Sequence, residues 1–98
     1  MFIVSLTYTR PLQEIDRLLP EHLEFLHAGY REGVFLASGR RQPRTGGVIL
    51  ARARSREALL ARLEDDPFRK AGAAEYEIVE VDVSLTAAGL EALADQTH

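Results

Sequence analysis

Three features of this 98-residue sequence point to an α+β fold in which two helices cover one face of a four-stranded antiparallel sheet. Period-two alternation of β-branched and aromatic residues occurs near both ends, from Phe2 to Thr9 and from Glu75 to Val83. Between Leu12 and Gly33, and again after Ser55, the apolar spacing becomes helical. In the middle, Leu36 to Ala53 reads as a strand leaving the core, a Gly/Pro/Arg turn, and a strand going back in. The order is strand, helix, strand, strand, helix, strand, the ferredoxin-like split βαβ arrangement.

Taken in order, Phe2, Val4, Leu6 and Tyr8 share one face of the first strand, and Arg10-Pro11 stops it. In the helical stretch, Leu19, Leu23, Leu26 and Tyr30 form one stripe at steps of four, three and four. A proline deep inside a helix removes a hydrogen bond, so the expectation is a short turn over Gln13–Leu18 and a main helix starting near Pro20. Gly33 ends it as a left-handed cap. Val34–Ser38 is the second strand and Gly46–Ala53 the third, with Val48 and Leu50 facing one way and Ile49, Ala51 and Ala53 the other. Ser55 opens the second helix, which runs to about Glu64 with Leu59, Leu60 and Leu63 inward. Asp66-Pro67-Phe68 breaks it and starts a short turn through Ala71. In the last strand Glu77, Val79, Val81 and Val83 are more apolar than Tyr76, Ile78, Glu80 and Asp82. Residues 84–98 form a tail in which Thr86 caps a weak helix through Asp95. A chain of this length and composition is expected to be one domain, 1–98, and a second copy is a common way to cover a leftover sheet face.

Net charge is −3 with 28% charged residues, both signs mixed, which is not the footprint of a nucleic-acid binder. The local exception is Arg40, Arg41, Arg44, Arg52, Arg54 and Arg56 within 17 positions. Arginine in a turn suits planar recognition of a carboxylate or phosphate, and it also suits a solvated hairpin tip. With no cysteine, neither a disulfide, a thiolate nucleophile nor a Cys-based metal site is possible. No apolar run approaches a membrane span and no basic segment precedes the first apolar run, so the expected location is the cytoplasm.

His22 lies three residues after Leu19 and four before Leu26, at the edge of the core-facing stripe, where a half-buried imidazole needs a partner for at least one nitrogen. A histidine with its ordinary pKa of about 6.5 is the natural proton shuttle at neutral pH; a boundary histidine satisfied by a backbone carbonyl fits the spacing too. Asp66 would fix the tautomer of such a ring and leave its second nitrogen for a substrate proton. It is equally the expected helix cap before Pro67. Ser38 and Gly39, closing the second strand, are candidate donors to a developing oxyanion or a hairpin turn. His27 and His98 have no partner at metal-ligand spacing, and no metal is expected.

The segments MFIVSLTY, LLPEHLEFL, GVFLASG, PRTGGVILARA, DPF and AAEYEIVEV, in that order, resemble the YciI-like (YCII-related) family from about Phe2 to Val83. The resemblance implies a ferredoxin-like dimer whose sheets pack into an α/β barrel, similar to muconolactone isomerases. It also implies a catalytic His/Asp dyad at His22 and Asp66, a Ser-Gly at Ser38 and Gly39, and a Pro-Arg turn at Pro43 and Arg44. One related enzyme of that style removes chloride from a chlorinated hydroxymuconate. Where the family usually has SGP this chain has SGR, and Arg40 in place of proline either favours an acidic substrate as an extra cation at the pocket rim or merely loosens the turn.

The reading that follows is a small cofactorless enzyme of proton transfer, isomerisation or elimination on a small organic acid. His22 is its general base or acid, Asp66 the orienting partner, Ser38 and Gly39 the anion-side donors, and Arg40 or Arg44 the carboxylate clamp. The alternatives are a non-catalytic small-anion-binding module using the same pocket and a plain dimerisation domain. No nucleic acid, membrane or cofactor is expected, and a homodimer is.

Overall fold

The computed structural model describes residues 1–95; His98 lies outside them. The elements are β1 (Phe2–Tyr8), α1 (Leu12–Arg31), β2 (Phe35–Arg40), β3 (Gly46–Ala51), α2 (Arg56–Leu63), α3 (Pro67–Lys70) and β4 (Ala74–Glu80). The sheet has the order β2-β3-β1-β4 with every neighbouring pair antiparallel, and the helices pack on one face of it. This is the α+β, ferredoxin-like topology.

Register decides which side of each strand meets the helices. Val4 stands opposite Ile49 on β3 and Ile78 on β4, and Phe2 opposite Ala51, which is also paired with Phe35 on β2. Phe2, Val4, Leu6, Phe35, Ile49 and Ala51 are all buried against Ile15, Phe25, Leu26, Leu59, Leu63 and Phe68 of the helices. The same register turns Val79 outward beside Ile3, and it is 57% exposed. The more apolar side of the last strand is therefore the outer one, because pairing with β1 fixes the pleat regardless of composition.

Two helix expectations need correction. First, α1 runs unbroken from Leu12 to Arg31 with Pro20 inside it. Pro20 is on the exposed side, so the Asp16 carbonyl that loses its donor is open to water and the helix tolerates the ring. The buried stripe is Ile15, His22, Phe25, Leu26 and Gly29, rotated from the Leu19–Leu23–Leu26–Tyr30 line; Leu23 is 44% exposed because it borders a hollow. Gly29 is required where α1 crosses β2, since a Cβ there would lie 2.1 Å from a ring carbon of Phe35. Second, Leu59 and Leu63 are buried on α2 while Leu60, a third of a turn round, is exposed. The caps are as the residues suggest: Ser55 Oγ accepts from the Ala58 N–H at 3.1 Å, and Gly33 has φ 76°.

The tail forms no helix from Thr86. Gly89, with φ 91°, interrupts it, and only a 3₁₀ turn at Glu91–Leu93 follows. Asp95 pins the tail across the outer sheet face. Its carboxylate accepts from the Met1 amine at 2.9 Å, from Arg52 at 2.7 Å and from the Val83 N–H at 2.6 Å. The Met1 ammonium first, then the Val83 N–H and Arg52, hold its carboxyl below the usual carboxylate range. Among the described residues no helix is long and apolar enough to cross a membrane.

Candidate active site

The start of α3, one face of α1 and the inward side of β4 converge on a single carboxylate. Asp66 has extended backbone (φ −66°, ψ 124°) ahead of Pro67, and its Oδ1 accepts from the Phe68 N–H at 3.0 Å, capping α3. The same Oδ1 lies 2.8 Å from Nδ1 of His22 on α1. Tyr76, on the inward side of β4, donates its hydroxyl to Oδ2. The cap and the imidazole contact, alternatives in the sequence, are made by one oxygen at once.

Asp66 is 0% exposed and His22 7%. A carboxylate buried this far is tolerable only with its lone pairs satisfied, and here three donors meet it. Because an ionised carboxylate only accepts, the hydrogen of the His22 contact sits on Nδ1. Burial first, and then the Asp66 charge, hold the Tyr76 phenol protonated far above the usual tyrosine range, so Tyr76 stays a donor. The ring of His22 lies nearly parallel to Phe68, 4.0 Å between centroids and 12° between planes, with Phe25 at 6.1 Å. Arg62 stands over Phe25 at 4.9 Å and pairs with Glu32 at 2.8 Å, tying α2 to the end of α1 behind the site. The imidazole is thus fixed in plane by stacking and in rotation by Asp66.

With Nδ1 turned to Asp66, Nε2 points away from it and has no hydrogen-bond partner among the described residues. His22 forms a wall of a cavity of about 220 Å³ between α1 and the inner face of the sheet. Leu6, Leu26, Ile49 and Phe68 make it mostly apolar, and Tyr8, Ser38, Gly39 and Arg40 supply polar groups. Register brings Ser38 and Arg40 to this side, opposite Ile49 and Gly47 of β3. Gly39 keeps a strand backbone outside the left-handed region. Ser38 Oγ lies 2.5 Å from the Tyr30 hydroxyl.

The turn cations part company. Arg41 donates to the Leu6 carbonyl and to Thr7 Oγ1, the latter at 2.6 Å. Arg44 pairs with Asp16 at 2.5 Å and is not a wall of the cavity; that hydrogen bond holds the Asp16 carboxyl below and the Arg44 guanidinium above their ordinary ranges. Arg40 lines the cavity with no ion pair among the described residues. No three carboxylate or histidine side chains among those residues converge at metal-ligand spacing.

The family model of the YCII-related domain matches residues 1–82. The chain belongs to the YCII-related family. Among solved structures, this YCII-related chain is similar to 5-chloro-2-hydroxyhydroquinone dehydrochlorinase (TftG) from Burkholderia phenoliruptrix AC1100 in complex with 2,5-dihydroxybenzoquinone. The TM-score is 0.70 with 21% sequence identity, covering 86% of this chain and 96% of that one, a likeness of fold. No curated protein sequence matches.

Tyr76 and Tyr30 escaped the sequence reading. The signal for Tyr76 was an inward-facing phenol ten residues after a buried-turn aspartate, since a buried tyrosine hydroxyl needs a partner. Tyr30 gave no such signal, because its contact with Ser38 depends on where α1 crosses β2.

Proposed function

We propose that this YCII-related protein is a small cofactorless enzyme that moves protons on a small anionic organic molecule, with isomerisation or elimination as the outcome. The observation that carries the reading is an imidazole held through Nδ1 by a buried carboxylate, with Nε2 unpartnered at a cavity of about 220 Å³. In this reading His22 is general base and acid, Asp66 and Tyr76 hold its tautomer and orientation, Ser38 and Gly39 lie on the oxyanion side, and Arg40 clamps the anion. Arg44, committed to Asp16, supports the turn instead.

The similarity to a dehydrochlorinase suggests a chlorinated hydroxyhydroquinone as the probe. Nε2 removes a hydroxyl proton and returns one to the chlorine-bearing ring carbon, giving the keto tautomer. Removal of a second hydroxyl proton then expels chloride. The net loss is one proton and one chloride; the C–Cl bonding pair leaves with chloride, so the ring reaches the quinone level without an outside oxidant. The first half alone is an isomerisation.

The part of the outer sheet face that carries Val79, 57% exposed, supports a homodimer, and the lack of cysteine suits a reducing cytoplasm. The test is anaerobic chloride release from 5-chloro-2-hydroxyhydroquinone. Wild type is expected to release it, and His22→Asn is expected to abolish release while keeping the circular dichroism spectrum. Equal release by His22→Asn would overturn the dyad. A second reading, a small-anion binder without chemistry, is favoured by the unpaired Arg40 at the cavity; it predicts 2,5-dihydroxybenzoquinone binding with no product from any ring compound.

A further inference from the structure

We propose that Tyr30 is a positioning residue that makes the Ser38 hydroxyl an oriented donor into the cavity, a role resting on the reading above. Their oxygens are 2.5 Å apart. Ser38 is a wall of the cavity and Tyr30 is not, so Tyr30 reaches a ligand only through Ser38. The phenol ring is fixed edge-on against Phe35, 6.3 Å between centroids and 83° between planes, which aims its hydroxyl at β2.

Either oxygen can donate by geometry, and chemistry chooses. A phenol is the stronger acid and an aliphatic hydroxyl oxygen the stronger acceptor, so Tyr30 donates and Ser38 Oγ accepts. That leaves the Ser38 hydrogen free to turn into the cavity, and a hydroxyl that accepts a hydrogen bond donates a stronger one. Helix α1 then serves both ends of the reaction. It carries His22 directly and, eight residues or about 12 Å further along its axis, the phenol that sets Ser38. The first hydroxyl proton leaves to Nε2, whereas the charge of the second deprotonation, the one that expels chloride, develops on a hydroxyl oxygen across the ring from His22, which is where a donor on β2 stabilises it. The assignment also explains a tyrosine at a position where phenylalanine would satisfy the packing against Phe35.

The test is a double-mutant cycle on the full chain with Tyr30→Phe, Ser38→Ala and both together. It reads kcat and KM for chloride release from 5-chloro-2-hydroxyhydroquinone, with thermal midpoints alongside. Each single variant is expected to lower kcat about tenfold or more, by analogy with loss of an oxyanion donor, with KM changed less than twofold. The double variant is expected to be no slower than Ser38→Ala alone, since Tyr30 has nothing to act through once the serine hydroxyl is gone. Losses that multiply in the double variant mark an independent structural role and overturn the assignment. So does an undiminished kcat in Tyr30→Phe when His22→Asn is inactive. Wild type that does not turn over this compound, whether or not it binds 2,5-dihydroxybenzoquinone, overturns the underlying reading, and the role of Tyr30 with it.

Discussion

Replacing Asp66 by alanine tests the centre of the molecule through stability alone. The carboxylate is fully buried and accepts from the Phe68 N–H at 3.0 Å, from His22 Nδ1 at 2.8 Å and from the Tyr76 hydroxyl. Losing the cap costs about 1 kcal/mol, and each donor stranded in the interior costs about 1–3 kcal/mol unless water reaches it. His22 opens on the cavity and recovers part of that, whereas the Phe68 amide, in a residue 1% exposed, recovers little. The expected loss is about 3–5 kcal/mol, in line with removing one partner of a buried ion pair. At about 4 °C per kcal/mol for a domain of this size, the melting midpoint should fall by at least about 12 °C. Urea unfolding followed by circular dichroism gives the free energy directly. Asp65→Ala, next in sequence with its side chain largely exposed, is the control and should shift stability by no more than about 0.5 kcal/mol. An Asp66→Ala loss below about 1 kcal/mol would refute the three-donor carboxylate.

Two further outcomes follow from the charges. Arg40→Gln should weaken binding of 2,5-dihydroxybenzoquinone, whose acidic hydroxyls ionise below neutral pH, by about fivefold, the worth of about one exposed charge contact; Arg44→Gln should change it less than twofold, and isothermal titration calorimetry measures both. Asp95 has a folded pKa below its ordinary 3.8, so its contribution is fully present above that value and fades as pH falls through the lower folded value. The amide resonance of Val83, which donates to Asp95 Oδ2 at 2.6 Å, should therefore hold steady from neutral pH to about 4 and move below it, a titration that Asp95→Asn removes.

What the sequence disclosed was local. Strand alternation from Phe2 to Tyr8 survives intact because the pleat of one strand needs no partner to be read. The Ser55 and Asp66 caps, too, are set by residues within three positions. What it concealed depends on partners distant in the chain. The face of β4 follows from pairing with β1, so Val79 points outward despite its chemistry. The stripe on α1 is set by where the helix rests on Phe35 and Phe68, which rotates His22 from the edge of the buried face to its middle. Pro20 was read by what it removes, and the solvent that replaces the lost bond is visible only once the exposed side of α1 is known. At the candidate site, residue types at sequence positions 22 and 66 were legible, while the third donor, Tyr76, and the placing of Arg40 at the cavity and of Arg44 on Asp16 required the register of the sheet and the ion pair.

Whether His22 can act as a base at the cavity turns on the position of one hydrogen atom. A two-bond ¹⁵N–¹H correlation spectrum of the histidine side chains, recorded above the pH where imidazoles titrate, assigns it. Neutral His22 is expected to be protonated at Nδ1, with a pyridine-like Nε2 whose resonance shifts when 2,5-dihydroxybenzoquinone is added and a pattern that changes in Asp66→Ala. A His22 carrying its proton on Nε2, or one indifferent to both the ligand and the loss of Asp66, would contradict that role.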